Sequence, residues 1–272
     1  MGCQRFFIYL CILGFVVWPR GVAAAPSAII NGREVAANEH QWAVGILQAD
    51  VADNYTAQFC GGTLIHSEWV LTAAHCTFNE QQHPFKPVEI VVLVGRHDLT
   101  SNQGKRIQVD RIVRHRVFDL ATYQNDIALL HLSQAVALPT VALPDEQVVE
   151  LERPLTMATI LGWGVTAQGS GAETLQLANV PVAPTATCQA YYTKLGINLL
   201  PGMICAGYSE GGVDACVGDS GGPLFVLNEH TKQWTQIGII SWGASCAEPG
   251  AFGVYTQLST YIEWIEKTIS SV

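Results

Sequence analysis

Charge is scarce in this chain. Only 14% of its 272 residues are Asp, Glu, Lys or Arg, against 49% hydrophobic. Such a chain has the apolar content to build a core, which excludes widespread disorder. Basic residues are the rarer sign, with 14 Lys and Arg against 23 Asp and Glu and a net charge of −9. No Lys/Arg cluster exists, so nucleic acid and anionic membranes are excluded as partners, and cationic ligands are favoured. Metal-ligand spacing is missing too: there is no Cys-x-x-Cys and no His-x-x-x-His, and no metal is expected. Internal repeats and low-complexity stretches are absent. Helical periodicity does not appear before the C-terminus.

The one long apolar run is at the start. Arg5 precedes Phe6–Val17, and small residues Val22–Ala25 follow, which is the layout of a secretory signal. The run is short of the roughly 20 apolar residues a membrane span needs. We expect a signal at 1–24, a short propeptide at 25–28, a mature domain at 29–272 and secretion, with no membrane association after signal cleavage. Of the eight cysteines, Cys3 and Cys11 leave with the signal, and Cys60, Cys76, Cys188, Cys205, Cys216 and Cys246 remain. An even number in an oxidising compartment predicts three disulfides, with the pairing open. Asn54-Tyr55-Thr56 is an N-glycosylation sequon.

Beyond Ile29 the chain reads as short β-branched and aromatic runs punctuated by Gly, Pro, Asn and Asp. Strands are predicted at Ala43–Gln48, Trp69–Thr72, Val88–Val94, Ile107–Arg114 and Ile127–Leu132. In the second half they fall at Met157–Gly162, Leu175–Val182, Pro223–Leu227, Gln236–Trp242 and Gly253–Thr256. Thr260 and Glu263 form a capping-box pattern ahead of one helix whose apolar face is Tyr261, Trp264, Ile265 and Ile269. Strands without alternating helices predict an all-β protein, a sandwich or barrels. Leu138–Pro154, rich in Pro and acids, is the expected junction between two halves.

The chemistry centres on Asp214-Ala215-Cys216-Val217-Gly218-Asp219-Ser220-Gly221-Gly222-Pro223. Glycines around Ser220 permit a turn that pushes a hydroxyl outward while neighbouring N–H groups converge, which supplies a nucleophile and donors for an oxyanion. His75, in Leu71-Thr72-Ala73-Ala74-His75-Cys76, is the candidate base. Asp126 stands at the mouth of an apolar strand, where a carboxylate needs a partner such as an imidazole N–H. A nucleophile elbow of the α/β-hydrolase kind is the rival reading of Gly218–Gly222. That fold needs an acid and then a His after the Ser, and the one His that follows is His230, with Glu229 adjacent to it.

Together these segments resemble the trypsin-like (chymotrypsin-fold) serine proteases. The matching stretches are Ile29-Ile30-Asn31-Gly32, Cys60-Gly61-Gly62-Thr63-Leu64, Leu71–Cys76, Asn125–Leu130, Gly162-Trp163-Gly164, Asp214–Pro223, Ser241-Trp242-Gly243 and Gly253-Val254-Tyr255. The resemblance implies two six-stranded antiparallel β-barrels with a C-terminal α-helix and a catalytic triad of His75, Asp126 and Ser220. It implies an oxyanion hole from the N–H groups of Gly218 and Ser220. Disulfides Cys60–Cys76, Cys188–Cys205 and Cys216–Cys246 follow from it as well. Substrate would bind at Asp214, Ala215, Ser241, Gly243 and Gly253, with cleavage after Arg more than Lys. Activation would pair a new N-terminus at Ile29 with Asp219. No cofactor is implied. The partners are protein or peptide substrates and protein protease inhibitors, and a monomer is expected. The chain departs from the family at its calcium loop, where Arg96 and Lys105 stand in Gly95–Lys105. Two longer loops flank the cleft, Ala49–Gln58 and Thr77–Pro87.

Overall fold

A computed structural model describes residues 29–145, 150–166 and 169–271. The expected signal and propeptide, 1–28, lie outside the described residues. Strands dominate because β-branched and aromatic residues recur in short runs, and pairing is antiparallel throughout both sheets.

Six strands of the first half close into a barrel in the order β2-β3-β4-β7-β6-β5. They are β2 (Ala43–Gln48), β3 (Gln58–His66), β4 (Trp69–Thr72), β5 (Ile90–Val94), β6 (Lys105–Arg114) and β7 (Ala128–Leu132). Every residue of β4 and β5 is buried, so their apolar runs read as continuous and not alternating.

The second half is a seven-stranded sheet, order β1-β9-β8-β11-β12-β13-β10. It comprises β1 (Arg33–Glu34), β8 (Met157–Gly162), β9 (Gln176–Pro181), β10 (Met203–Ala206), β11 (Pro223–Asn228), β12 (Gln233–Trp242) and β13 (Gly253–Gln257). The short β1 adds to the edge of β9. An isolated bridge between Val182 and Ala206 draws β9 and β10 together, so six of these strands curl toward barrel form. The chain passes from one half to the other between β7 and β8.

Three helices occur among the described residues: α1 (Asn54–Ala57), α2 (Thr185–Lys194) and α3 (Ile262–Ser270). The helix α2 carries no apolar stripe; only Cys188 and Tyr192 are buried, and a disulfide from Cys188 to Cys205 fixes it. The start of α3 differs from the capping box expected at Thr260 and Glu263. Thr260 ends a 3-10 turn, Leu258–Thr260, and α3 begins after Tyr261 with no side-chain cap. Tyr261 instead anchors the helix by donating its hydroxyl to Asn125 Oδ1 at 3.1 Å. The apolar face packs as expected: Tyr261 and Ile265 are buried, and Trp264 and Ile269 lean on the first core.

Candidate active site

His75 opens a 3-10 turn, His75–Thr77, directly after β4, and Asp126 lies just before β7. β4 and β7 are paired in register, Thr72 against Ala128, so the two residues leave the barrel at neighbouring points. Asp126 is fully buried. One oxygen accepts the His75 backbone N–H at 2.8 Å and the other lies 2.7 Å from His75 Nδ1. Ser241 Oγ donates to that second oxygen at 2.5 Å. A carboxylate only accepts, so Nδ1 carries the proton and Nε2 is left as the basic nitrogen. Thr256 Oγ1 donates to the Asp126 carbonyl at 2.7 Å, tying the pair to β13 of the other half.

Ser220 comes from the second half, in the loop before β11, and is bolted onto the first. Its carbonyl accepts the Gly61 N–H at 2.7 Å and lies 3.4 Å from Cys76 Sγ. The Cys60–Cys76 disulfide joins β3 to the turn that carries His75. The contact needs glycine on both sides. A Cβ on Gly61 would sit 3.2 Å from the Gly222 backbone, and one on Gly221, at φ +80°, would meet Thr72 Oγ1 and the Gly61 carbonyl.

The direction of the Gly218 N–H is set by its peptide plane. The Val217 carbonyl of that plane accepts the Val165 N–H at 2.7 Å, and in a trans peptide the Gly218 N–H must then point the opposite way. On the far side of the residue, Gln58 Nε2 donates to the Gly218 carbonyl at 2.9 Å and to the Cys60 carbonyl at 3.1 Å. Gly218 holds φ +96°, a conformation that a side chain would strain.

Asp219 points inward and is fully buried. Its oxygens accept N–H groups from Gly164 at 2.8 Å and Cys216 at 2.9 Å. Gly162 and Gly164 make the room: a Cβ on either would overlap the carboxylate. Burial pushes this carboxyl up to about 7, against the pull of the two N–H bonds. Ile29 is buried in the second core, and the Ile30 N–H pairs with the Asp214 carbonyl at 3.0 Å.

Beside Ser220 opens a cavity of about 320 Å³, lined by Asp214, Ala215, Ser241, Gly243, Gly253 and Tyr255 among others. The Asp214 oxygens accept from Ala215 N at 2.9 Å and Ala247 N at 3.1 Å, and burial again raises its pKa to about 7. The walls are tied by the Cys216–Cys246 disulfide. A larger cavity of about 440 Å³ is lined by His40, Trp42 and Trp234 and shares no residue with this one, so size alone does not find the site.

In Gly95–Lys105 the Arg96 guanidinium turns into the loop, donating to the Ser101 and Asp98 carbonyls and to Ser101 Oγ. A hard cation would need those oxygens and would meet a fixed positive charge, so the loop does not fit calcium. The segment Thr77–Pro87 is held by Arg114, which donates to Thr77 Oγ1 at 2.6 Å, to the Thr77 carbonyl at 2.8 Å and to the Phe85 carbonyl at 3.0 Å.

The structure therefore gathers His75, Asp126, Ser220 and Ser241 at the seam of the two halves, with Asp214 in the adjoining cavity. Sequence reasoning gave no site role to Gln58, Val165 or Tyr255. It also missed Tyr123, whose ring stands 5.3 Å from that of His75. Gln58 carried no signal, because the strand that presents it was not predicted.

Comparison with known proteins identifies the family. The family model described as Trypsin matches residues 29–265. Trypsin eta of Drosophila melanogaster is 33% identical over 92% of this chain and 91% of its own length. The clotting factor G beta subunit of Tachypleus tridentatus is 34% identical over 88% of this chain and 79% of its own. Mannan-binding lectin serine protease 1 of Rattus norvegicus is 32% identical over 89% of this chain, which spans only 35% of that protein's length. By its matched domain and by the fold that carries His75, Asp126 and Ser220, the chain belongs to the trypsin family of serine proteases.

Proposed function

We propose that the chain is a secreted endopeptidase that hydrolyses peptide bonds after Arg, and less well after Lys, through an acyl-enzyme. Ser220 Oγ attacks the scissile carbonyl carbon while His75 Nε2 takes its proton. The developing oxyanion is received by the N–H groups of Gly218 and Ser220. His75 then returns the proton to the leaving amine, and water repeats the sequence to free the acid and Ser220. Asp126 holds the imidazole tautomer and balances the imidazolium. The observation that carries this reading is the buried Asp126 carboxylate at 2.7 Å from His75 Nδ1, with the His75 turn disulfide-bonded to β3, whose Gly61 N–H holds the Ser220 carbonyl at 2.7 Å.

The preference for a basic side chain rests on Asp214 in a cavity whose walls at Gly243 and Gly253 lack side chains. Ala215 offers no hydroxyl there. Lys, a strongly hydrated point charge, loses more by that absence than Arg, whose fork meets a carboxylate directly. Activation follows cleavage before Ile29, whose ammonium pairs with Asp219 and orders the Gly218 loop. Ala28 precedes that bond, which suits stepwise removal of Ala25-Pro26 and Ser27-Ala28 by a dipeptidyl peptidase and not a trypsin-like activator. Protein protease inhibitors are expected partners, and the active unit is a monomer. Among the described residues no helix is long and apolar enough to cross a membrane. Profiling the mature protein against a peptide library tests the reading: cleavage should follow Arg, then Lys, and a preference for Phe or Leu would overturn it.

A further inference from the structure

The loop between β2 and β3 is one of the two long insertions, and a single arginine organises it. Arg106, on β6, donates from Nη1 to the Val51 carbonyl at 2.7 Å and from Nη2 to the Ala52 carbonyl at 2.9 Å. Its Nε donates to Asn54 Oδ1 at 2.8 Å. A guanidinium has donors only, so the Asn54 atom facing it is the oxygen, and the orientation of this amide is not arbitrary. Next in the chain, Tyr55 turns toward the second half and donates its hydroxyl to the Gly171 carbonyl at 2.9 Å. Asp53 caps the short helix by accepting the Thr56 N–H at 2.9 Å.

Oδ1 is thus engaged by Arg106, and Nδ2 is the polar atom of the amide left over. Nδ2 makes no hydrogen bond among the described residues, and it is not among the buried polar atoms left without a partner. Asn54 itself is half-exposed. It is also the first residue of Asn54-Tyr55-Thr56, an acceptor sequence for N-linked glycans. The atom that glycosylation modifies is thus the polar atom of this side chain that makes no hydrogen bond among the described residues.

We propose that Asn54 Nδ2 carries an N-linked glycan, a modification that rests on the secreted reading above. The donor is a lipid-linked oligosaccharide of the secretory pathway. Nδ2 forms a bond to C1 of the first sugar, the bond from C1 to the lipid pyrophosphate breaks, the pyrophosphate leaves with the electron pair, and Nδ2 gives up one proton. The product amide keeps its carbonyl, so the Arg106 contact survives modification. The glycan is then rooted on a loop clamped at three points, four positions before Gln58, which touches the Gly218 peptide.

The test is expression of the full chain in secreting animal cells, with purification from the medium. Peptide-N-glycosidase should speed its migration in a gel and leave Asp at position 54, read by peptide mass spectrometry. Asn54→Gln and Thr56→Ala should each migrate like the deglycosylated protein, and Thr56→Ser should keep the glycan. Secreted protein with intact, unmodified Asn54 overturns the proposal, and if it still cleaves after Arg the peptidase reading stands. Retention of the chain in the cytosol overturns the proposal through its premise. A glycan found with no peptidase activity supports the proposal and defeats the functional reading instead.

Discussion

Gln58 offers the sharpest test of how the Gly218 N–H is held. Gln58→Met keeps the length of the side chain and removes both donations, to the Gly218 carbonyl at 2.9 Å and the Cys60 carbonyl at 3.1 Å. Gln58 holds the following Gly218–Asp219 peptide, and the bond from Val165 still restrains the Val217–Gly218 peptide that carries the N–H, so the loop loosens without collapsing. A neutral hydrogen bond of this kind contributes about 1 kcal/mol net, and that amount converts to roughly a fivefold change. The bond aligns a donor for the transition state, so the loss should fall on kcat with KM nearly unchanged. The assay measures kcat/KM on an Arg peptide amide beside the affinities of two inhibitors. A peptide boronate, which mimics the tetrahedral state, should weaken by the same factor as kcat/KM, whereas a small aryl amidine seated against Asp214 should bind as before. Unchanged boronate affinity, or equal losses for both inhibitors, would refute the claim that Gln58 aims the oxyanion donor.

Other consequences are open to measurement. Asp214→Asn should lower cleavage after Arg and Lys by at least about 100-fold, since a bidentate charge-assisted pair is lost, and Ala215→Ser should raise Lys relative to Arg in the same competition assay. Gly164→Ala places a Cβ 2.6 Å from Asp219 Cγ and should yield no stable, active protein. Gly243→Ala meets nothing nearer than 3.8 Å and should fold with an unchanged Tm while slowing Arg cleavage through the narrowed cavity. The pH dependence of stability should also differ before and after activation. Burial raises the folded Asp219 pKa from 3.8 to about 7, so its stabilising contribution is complete below the unfolded value and is lost as pH rises through about 7. An uncleaved Ser220→Ala chain should therefore lose Tm between pH 4 and 7. The chain cleaved before Ile29, with an ammonium against Asp219, should lose less, and identical Tm profiles would refute the pairing.

Much of the barrel was legible because its strands are apolar runs ended by polar or turn residues. Ala43–Gln48, Trp69–Thr72 and Met157–Gly162 have the same bounds in sequence and structure. Gln58–His66 was not legible. Its Gly61-Gly62 pair reads as a break, yet the missing side chains are what lets the strand touch Gly222 and Val70. Met203–Ala206 is too short to announce itself, and α2 is held by its disulfide and by Tyr192, not by an apolar face. At the site, residue types and their order marked His75, Asp126 and Ser220, since each needs neighbours of a particular size. What no linear pattern carries is the contact across the seam: Gln58 to Gly218, Gly61 to Ser220, Ser241 and Thr256 to Asp126. Those pairs are far apart in the chain and exist only once both halves have folded.

The central claim is that Ser220 is the nucleophile. Intact-mass measurement of the mature protein after reaction with a peptidyl phosphonate bearing an Arg-like side chain addresses it most directly. The account predicts a single adduct, mapped to Ser220, that is absent from Ser220→Ala and strongly slowed in His75→Ala, with peptide hydrolysis lost in step. No adduct on an enzyme that still cleaves peptides, or undiminished hydrolysis by Ser220→Ala, would contradict it.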